Sequence, residues 1–144
     1  MDDKKLESIT KKEAPLFKSC FNDFKTKAKV LDVYDGDTIT IAFDFGNKYY
    51  SWKARIYGID TPEIRTKNIK EKEAAYRAKE FLKNLILDKV IKIECMGFGK
   101  FGRLLVKVFV KDEHDKYQDV SQMLIKEDLA HMYYGKKKLK WNFD

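Results

Sequence analysis

The segment from Arg55 to Glu63 carries two carboxylates where an alternating strand pattern runs into a turn. Asp60 and Glu63 stand on either side of Pro62, which fixes its own φ and disfavours helical geometry in the residue before it. The strand must therefore end here and hold both carboxylates at a rigid turn. Such a pair can share one metal ion and one water molecule, although Asp60 or Thr61 could instead simply cap a helix.

Three more charged residues occur where a small barrel can bring them to the same place. Asp37 follows the tight turn Asp35-Gly36, and Arg103 opens a strand behind a glycine-rich loop. Arg55 lies inside the strand that leads to the carboxylate turn. Two aspartates, a backbone carbonyl and water suit a hard cation such as Ca²⁺ or Mg²⁺, and the lack of a His or Cys cluster disfavours softer metals. Taken singly, each residue is equally compatible with an ordinary turn or strand position.

These residue types together predict hydrolysis of a phosphodiester. Arg55 and Arg103 can bind phosphate oxygens through a planar, bidentate geometry that lysine lacks. Glu63 is free to take a proton from an attacking water, and general-base help of this kind accelerates reactions about 10²–10⁴-fold. A cation, two guanidinium groups and a base supply the charge stabilisation and the nucleophile that the reaction needs.

Composition sets wider limits on the protein. A chain of 144 residues that is 44% hydrophobic fits one domain with one core. The net charge of +7 favours a polyanionic partner, or else only a solvated surface. No apolar run approaches the ~18 residues of a membrane span, and the N-terminus lacks a secretory signal. We therefore expect no membrane partner and a monomeric, cytoplasmic protein, unless a leader was removed. Cys20 and Cys95 are predicted to be buried, reduced thiols.

Hydrophobic periodicity predicts an α+β fold. The predicted elements, in order, are a short amphipathic helix from Glu13 to Phe24, strands at 30–34, 38–45 and 48–59, a helix at 68–87, strands at 90–95 and 103–110, and a helix from Asp119. The Asp35-Gly36 turn is predicted to place both residues at positive φ. Three strands, a helix, two strands and a helix describe a five-stranded oligonucleotide-binding (OB) barrel. We divide the chain into an N-terminal extension with the short helix (1–26), the barrel domain (27–135) and a lysine-rich tail (136–144).

At these residues the chain resembles the staphylococcal nuclease (thermonuclease) family. The matching motifs are Asp35-Gly36-Asp37-Thr38, the segment from Arg55 to Glu63, and Lys100-Phe101-Gly102-Arg103. The likeness covers about residues 28–134, including the order of strands and helices. It implies a hydrolase with an OB barrel, a Ca²⁺-dependent endonuclease that cleaves DNA and RNA and leaves 3′-phosphate ends.

The resemblance also implies roles for individual residues. The implied metal ligands are Asp37, Asp60 and the Thr61 carbonyl, and the implied catalytic residues are Arg55, Glu63 and Arg103. Asp35 would stiffen the turn beside the ligands. The candidate substrate contacts near the site are Lys100, Phe101 and Tyr134, with Tyr133 as the alternative to Tyr134 for base stacking. Apart from the resemblance, we predict a weak strand-binding patch in the tail, formed by lysines 136, 137, 138 and 140, with Lys136 as a further substrate contact. Phe101 stands where the family often has a tyrosine, and the tail replaces the family's long last helix.

Two other functions remain open on the sequence alone. A catalytically silent nucleic-acid-binding barrel is the first alternative; such relatives usually lose a catalytic acid or arginine, and this chain keeps all of them. The second is a protein-interaction module built around the predicted N-terminal helix. These residues are equally compatible with DNA and RNA, and with single-stranded and double-stranded substrates.

Overall fold

A computed structural model of the chain describes residues 2–135 and 138–143. Its elements, in chain order, are α1 (Asp3–Glu7), β1 (Asn22–Val33), β2 (Thr38–Asp44), β3 (Tyr49–Ile56), β4 (Gly58–Asp60), α2 (Ile69–Ile86), β5 (Val90–Phe98), β6 (Leu104–Lys111), β7 (Tyr117–Asp119), α3 (Val120–Lys126) and β8 (His131–Tyr133). Single 3-10 turns occur at Phe17–Phe21 and Lys100–Gly102.

Five of the strands close into a barrel in the order β3-β2-β1-β5-β6. Neighbours run antiparallel except where β6 returns to β3 as a parallel pair, with Ala54 opposite Leu104 and Ile56 opposite Val106. Closure pairs the backbone N–H and C=O groups that the edge strands of an open sheet would leave exposed. It also places the start of β2, the end of β3 and the start of β6 side by side. The predicted α+β class with a five-stranded OB barrel is confirmed.

The strands alternate between a buried and an exposed face, and the helices cover the barrel. In β2 the buried residues are Ile39, Ile41 and Phe43, which project into the interior. Helix α2 begins after Asn68, whose side chain accepts a hydrogen bond from the Glu71 N–H at 3.1 Å. Its buried face comprises Ala75, Ala78, Leu82 and Ile86. Within the described ranges, no helix has the length and apolar character that crossing a membrane requires.

The helix predicted from Glu13 to Phe24 is wrong. Within that range only residues 17–21 are helical, as one 3-10 helix, and β1 already begins at Asn22, ahead of the predicted domain start at residue 27. The aromatic spacing reflects a different geometry, because Phe21 enters the barrel end and is completely buried there. Pairing of β1 with β5, from Asn22 opposite Met96, outweighs local helical spacing. The short helix of this region is α1, which has no buried residue.

Two further features differ from expectation. Cys20 is exposed at the end of the 3-10 turn, which corrects the prediction that both thiols are buried, whereas Cys95 is buried in β5. Burial raises the pKa of the Cys95 thiol to about 11. The strand predicted at 48–59 divides into β3 and β4, and the three-residue strands β7 and β8 were not predicted; β8 pairs with β4, His131 opposite Asp60. Three residues are too few to show a period of two, so only the pairing defines them.

Candidate active site

Strand register brings the predicted site residues to one end of the barrel. Asp37 immediately precedes β2, and Thr38, the first residue of β2, pairs with Arg55 near the end of β3. Arg103 immediately precedes β6, whose first residues pair with those on both sides of Arg55. Asp60 ends β4, where the β8 partner strand holds it. Four positions that are distant in the chain therefore face one region.

Arg55 connects the two buried aspartates. Its Nη1 lies 3.5 Å from Asp37 Oδ2 and its Nη2 lies 3.5 Å from Asp60 Oδ1. The guanidinium also donates a hydrogen bond to the Ile59 carbonyl at 3.2 Å and stands 5.5 Å from the centre of the Tyr133 ring. Both ion pairs are longer than a close charge-assisted hydrogen bond of about 2.7–2.9 Å. The guanidinium therefore joins the carboxylates while keeping donors available for another anion.

Asp37 is held by its neighbours in the turn and by the next strand end. Its carboxylate accepts hydrogen bonds from the Thr38 hydroxyl at 3.1 Å and from the Thr61 N–H at 3.3 Å. The Asp37 N–H in turn donates to Asp35 Oδ1 at 3.0 Å, within the buried turn. Burial, together with the charge of Asp37, raises the pKa of Asp35 well above its usual range. Asp35 is thus tied to the backbone of Asp37 within the turn.

This turn requires a glycine at position 36 because there is no room for a side chain, not because its backbone angles demand one. Neither Asp35 nor Gly36 has positive φ, so the predicted turn geometry is wrong here; Gly46 and Asn47, at +65° and +66°, have it in the next turn. A Cβ on Gly36 would lie 2.8 Å from a methyl carbon of Ala78 on α2 and 2.8 Å from Thr61 Cγ2. The turn that carries Asp37 is therefore pressed directly against the helix and the carboxylate turn.

The other two predicted catalytic residues lie at the margins of this cluster. Arg103 is half-buried, and its Nη1 approaches the Thr38 hydroxyl at 3.5 Å, one residue from Asp37. Glu63 projects outward with 62% of its side chain exposed. An exposed carboxylate beside a buried charged cluster is open to water, as a general base must be.

Lys138 occupies a position that the sequence did not indicate. Its Nζ lies 3.2 Å from Asp60 Oδ1 and 3.8 Å from Glu63 Oε1, so the tail reaches back over the site. The prediction had assigned Lys138 to a basic patch for the substrate strand. No local spacing could have revealed this contact, because it depends on how the tail returns after β8. The tail is anchored further along by Trp141, which stacks on His131 at 3.6 Å.

The donor set fits a hard cation of the kind the resemblance implies. Asp60 Oδ1 and Thr61 Oγ1 are buried without a hydrogen-bond partner in the described part of the chain. Asp60 Oδ1 has two cations at ion-pair distance, yet neither meets hydrogen-bond geometry, so an electron-rich oxygen is left for another ligand. Residues 2–135 and 138–143 contain no group of three or more His, Cys, Asp or Glu side chains arranged around a metal. Two carboxylates completed by a backbone oxygen and waters match the preferences of Ca²⁺ or Mg²⁺.

A groove of about 280 Å³ opens beside Arg55 and Arg103, which both line it. Three predicted substrate contacts line it: Lys100, Phe101 and Tyr134. Phe101 is 93% exposed at the tip of its loop, and Tyr134 contacts Tyr57 with ring centres 5.5 Å apart. The carboxylates lie behind the arginines rather than in the groove wall. Lys136, the fourth predicted contact, lies outside the described residues.

The structure is thus a closed OB barrel with an arginine-bridged acidic pair at one end. Residues 53–142 match the model of the staphylococcal nuclease homologue family, and the chain belongs to that family. Asp35 and Asp37 precede the matched region. The chain is also 30% identical to an uncharacterized protein of Methanocaldococcus jannaschii, in an alignment that covers 80% of this chain and 63% of the relative. The chain therefore spans less than two thirds of that relative's length.

Proposed function

We propose that this protein is a metal-dependent endonuclease that hydrolyses DNA and RNA, uses Ca²⁺ and leaves 3′-phosphate ends. The observation that carries the proposal is the bridge from Arg55, a residue of the groove wall, to both Asp37 and Asp60. A barrel that only bound a nucleic-acid strand would not need two buried carboxylates next to the arginine that binds the phosphate. Buried charges are costly unless they serve a paired or metal-bound state.

Each residue has a defined part in the reaction. Asp37, Asp60 and the Thr61 carbonyl would hold the cation, which when bound would neutralise charge on a phosphate oxygen. Glu63 takes a proton from a water whose oxygen then bonds to phosphorus. The bond from phosphorus to the 5′ oxygen breaks, and that oxygen acquires a proton from solvent.

The arginines act on the charge that builds up at phosphorus. Arg103 donates to the non-bridging phosphate oxygens from the groove side. Arg55 does the same from the carboxylate side, since its loose ion pairs leave donors available. Donors aimed at developing charge in this way contribute about 10²–10³ in rate each.

A second candidate function, a catalytically silent nucleic-acid-binding module, is favoured by one observation. The Lys138 ammonium group lies beside the same carboxylates that a metal ion would need, 3.2 Å from Asp60 Oδ1. If the ammonium permanently took the place of the cation, the groove and its arginines would bind a strand without cutting it.

A cleavage assay separates the two functions. Single-stranded DNA and RNA are incubated with the folded protein in Ca²⁺, in Mg²⁺ and in EGTA, and the product ends are analysed. We expect Ca²⁺-dependent cleavage with 3′-phosphate ends and none in EGTA. If the folded protein binds the strand but does not cut it in either metal, the endonuclease proposal fails and the silent module replaces it. Products with 5′-phosphate ends would refute the proposed cleavage side.

A further inference from the structure

The outward face of three barrel strands carries lysines that the proposed reaction does not use. We call it the lysine face: Lys25, Lys27 and Lys29 on β1, Lys92 on β5, and Lys107 and Lys111 on β6. All six are exposed or half-buried, and none forms an ion pair with any residue of the described ranges. Two acidic side chains lie in the same register: Glu94 stands between Lys25 and Lys107, and Asp119 is opposite Phe109.

The register brings like charges together at the centre of this face. Lys27 lies directly opposite Lys92, and Lys92 is in turn opposite Phe109. Like charges placed directly across two strands destabilise a sheet. A surface that served only solubility would mix signs to avoid that repulsion. The repulsion is relieved if an anion binds between the strands, in the shallow depression whose charged lining is three lysines, Lys25, Lys27 and Lys92, and one carboxylate, Glu94.

Aromatic rings accompany these lysines. The Nζ of Lys92 stands 4.1 Å from the centre of the Tyr117 ring, and that of Lys111 stands 5.5 Å from it. Alternating cationic and aromatic side chains are typical of surfaces that follow a nucleic-acid backbone without reading its sequence.

The lysine face continues into the groove. Lys107 Nζ lies 5.9 Å from the centre of the Tyr57 ring, and the Tyr57 ring contacts that of Tyr134. Tyr57 and Tyr134 line both the groove and a second pocket, whose lining also includes Lys107 and Asp119. A strand leaving the groove over Tyr57 would therefore meet Lys107 and then Lys92, and it would pass the carboxylates of Asp119 and Glu94 on the way.

The geometry points to the lysine face as a second binding surface for the same polynucleotide, which holds the phosphates of the strand that extends beyond the groove. This inference rests on the proposed function in so far as the groove binds nucleic acid. The face supplies length-dependent affinity and no chemistry, so an enzyme that carries it would hold long strands more tightly than short ones.

Binding in EGTA, where the strand should stay intact, tests the inference. The variant is Lys27→Gln/Lys92→Gln/Lys107→Gln, and the matched control removes the same charge from exposed helix positions, Lys72→Gln/Lys83→Gln/Lys126→Gln. The probes are labelled oligothymidylates of about 4 and about 30 nucleotides, which bracket the site size of one OB barrel. For the face variant we expect roughly tenfold weaker binding of the long probe and a salt slope smaller by about 2, at ~0.7 per lost contact. Binding of the short probe should not change.

Several results would overturn the inference. If the control variant lost as much affinity for the long probe, the effect would come from net charge alone. If the face variant lost as much affinity for the short probe, these lysines would act within the groove or stabilise the fold. A long probe that binds both variants like the wild type, with a polyglutamate probe that binds the wild type and the control variant but not the face variant, would assign the face to an acidic protein. The thermal midpoints of both variants check that the fold is kept. If the protein cuts nothing but the face variant still loses the long probe selectively, the proposed function fails and the second surface stands.

Discussion

The β2–β3 hairpin has a charged end and an aromatic end, and the two bury different kinds of side chain. At the charged end Asp37 and Asp60 are each only 4% exposed, with Arg55 between them. At the other end Phe21 is fully buried and stacks on Phe45 with ring centres 4.7 Å apart, in a cluster that also contains Trp52. One end holds charges out of water, and the other removes apolar surface from water.

The contrast separates what the molecule needs for function from what it needs for stability. Desolvating charges opposes folding even when they are paired. A buried aromatic ring favours folding through its large apolar area and its edge and face contacts. We therefore infer that the aromatic end offsets the cost of the charged end, and that substitutions at the two ends change different measured quantities.

The largest expected effect is on catalysis at the charged end. Glu63→Gln should lower kcat by about 10²–10⁴, because the amide cannot take a proton from water. The thermal midpoint should stay unchanged, since the side chain is 62% exposed. Steady-state kinetics on single-stranded DNA with Ca²⁺ measures the change. The matched control is Glu113→Gln, an exposed carboxylate far along the chain; equal activity of the two variants would remove Glu63 from the reaction.

The converse change is at the aromatic end. Phe21→Ala should lower the free energy of unfolding by about 3–5 kcal/mol, the usual loss for a fully buried phenylalanine. Activity per folded molecule should be kept, because the cluster lies at the far end of the hairpin from Arg55. Urea unfolding measures the loss, with Phe17→Ala, whose ring is 66% exposed, as the control. A loss in Phe17→Ala as large as in Phe21→Ala would show that burial does not decide the difference.

Gly36→Ala should affect both quantities, because the turn belongs to the site and to its packing. The added methyl would meet Ala78 and Thr61 at 2.8 Å, and overpacking of this kind costs about 1–3 kcal/mol. Displacement of Asp37 should also lower activity. Gly46→Ala is the control, since nothing lies within 4 Å of its Cβ, and its strain comes only from positive φ. If Gly36→Ala kept full activity, the turn would not position Asp37 for catalysis.

The smallest expected effect concerns the tail. Lys138→Gln should strengthen Ca²⁺ binding about fivefold, because it removes a positive charge beside Asp60 that is worth about 1 kcal/mol at a half-exposed position. Calorimetric titration of Ca²⁺ in the absence of nucleic acid measures this directly. Lys140→Gln removes a charge from the same tail and should leave the affinity unchanged. Identical affinities in both variants would mean that the Lys138 contact does not persist in solution.

Much of the fold followed from local patterns. Alternation predicted the five barrel strands within a few residues, except for the early part of β1, and the Asn68 cap predicted the start of α2. The aromatic spacing around Phe21 gave a wrong helix prediction, because a 3-10 turn that leads into a strand can bury apolar residues at the same spacing as an α-helix. Only the pairing of β1 with β5 distinguishes them.

The candidate site divides in the same way. Residue type and spacing alone determined which side chains have the chemistry for phosphate and metal, namely Asp37, Arg55, Asp60, Glu63 and Arg103. Tertiary structure alone decided that one guanidinium bridges both aspartates, that Gly36 is needed for close packing, and that Lys138 returns to the carboxylates. Chemical identity and backbone preference are local properties of a sequence. Distances between remote residues depend on how strands pair and how the tail packs, and no local spacing records them.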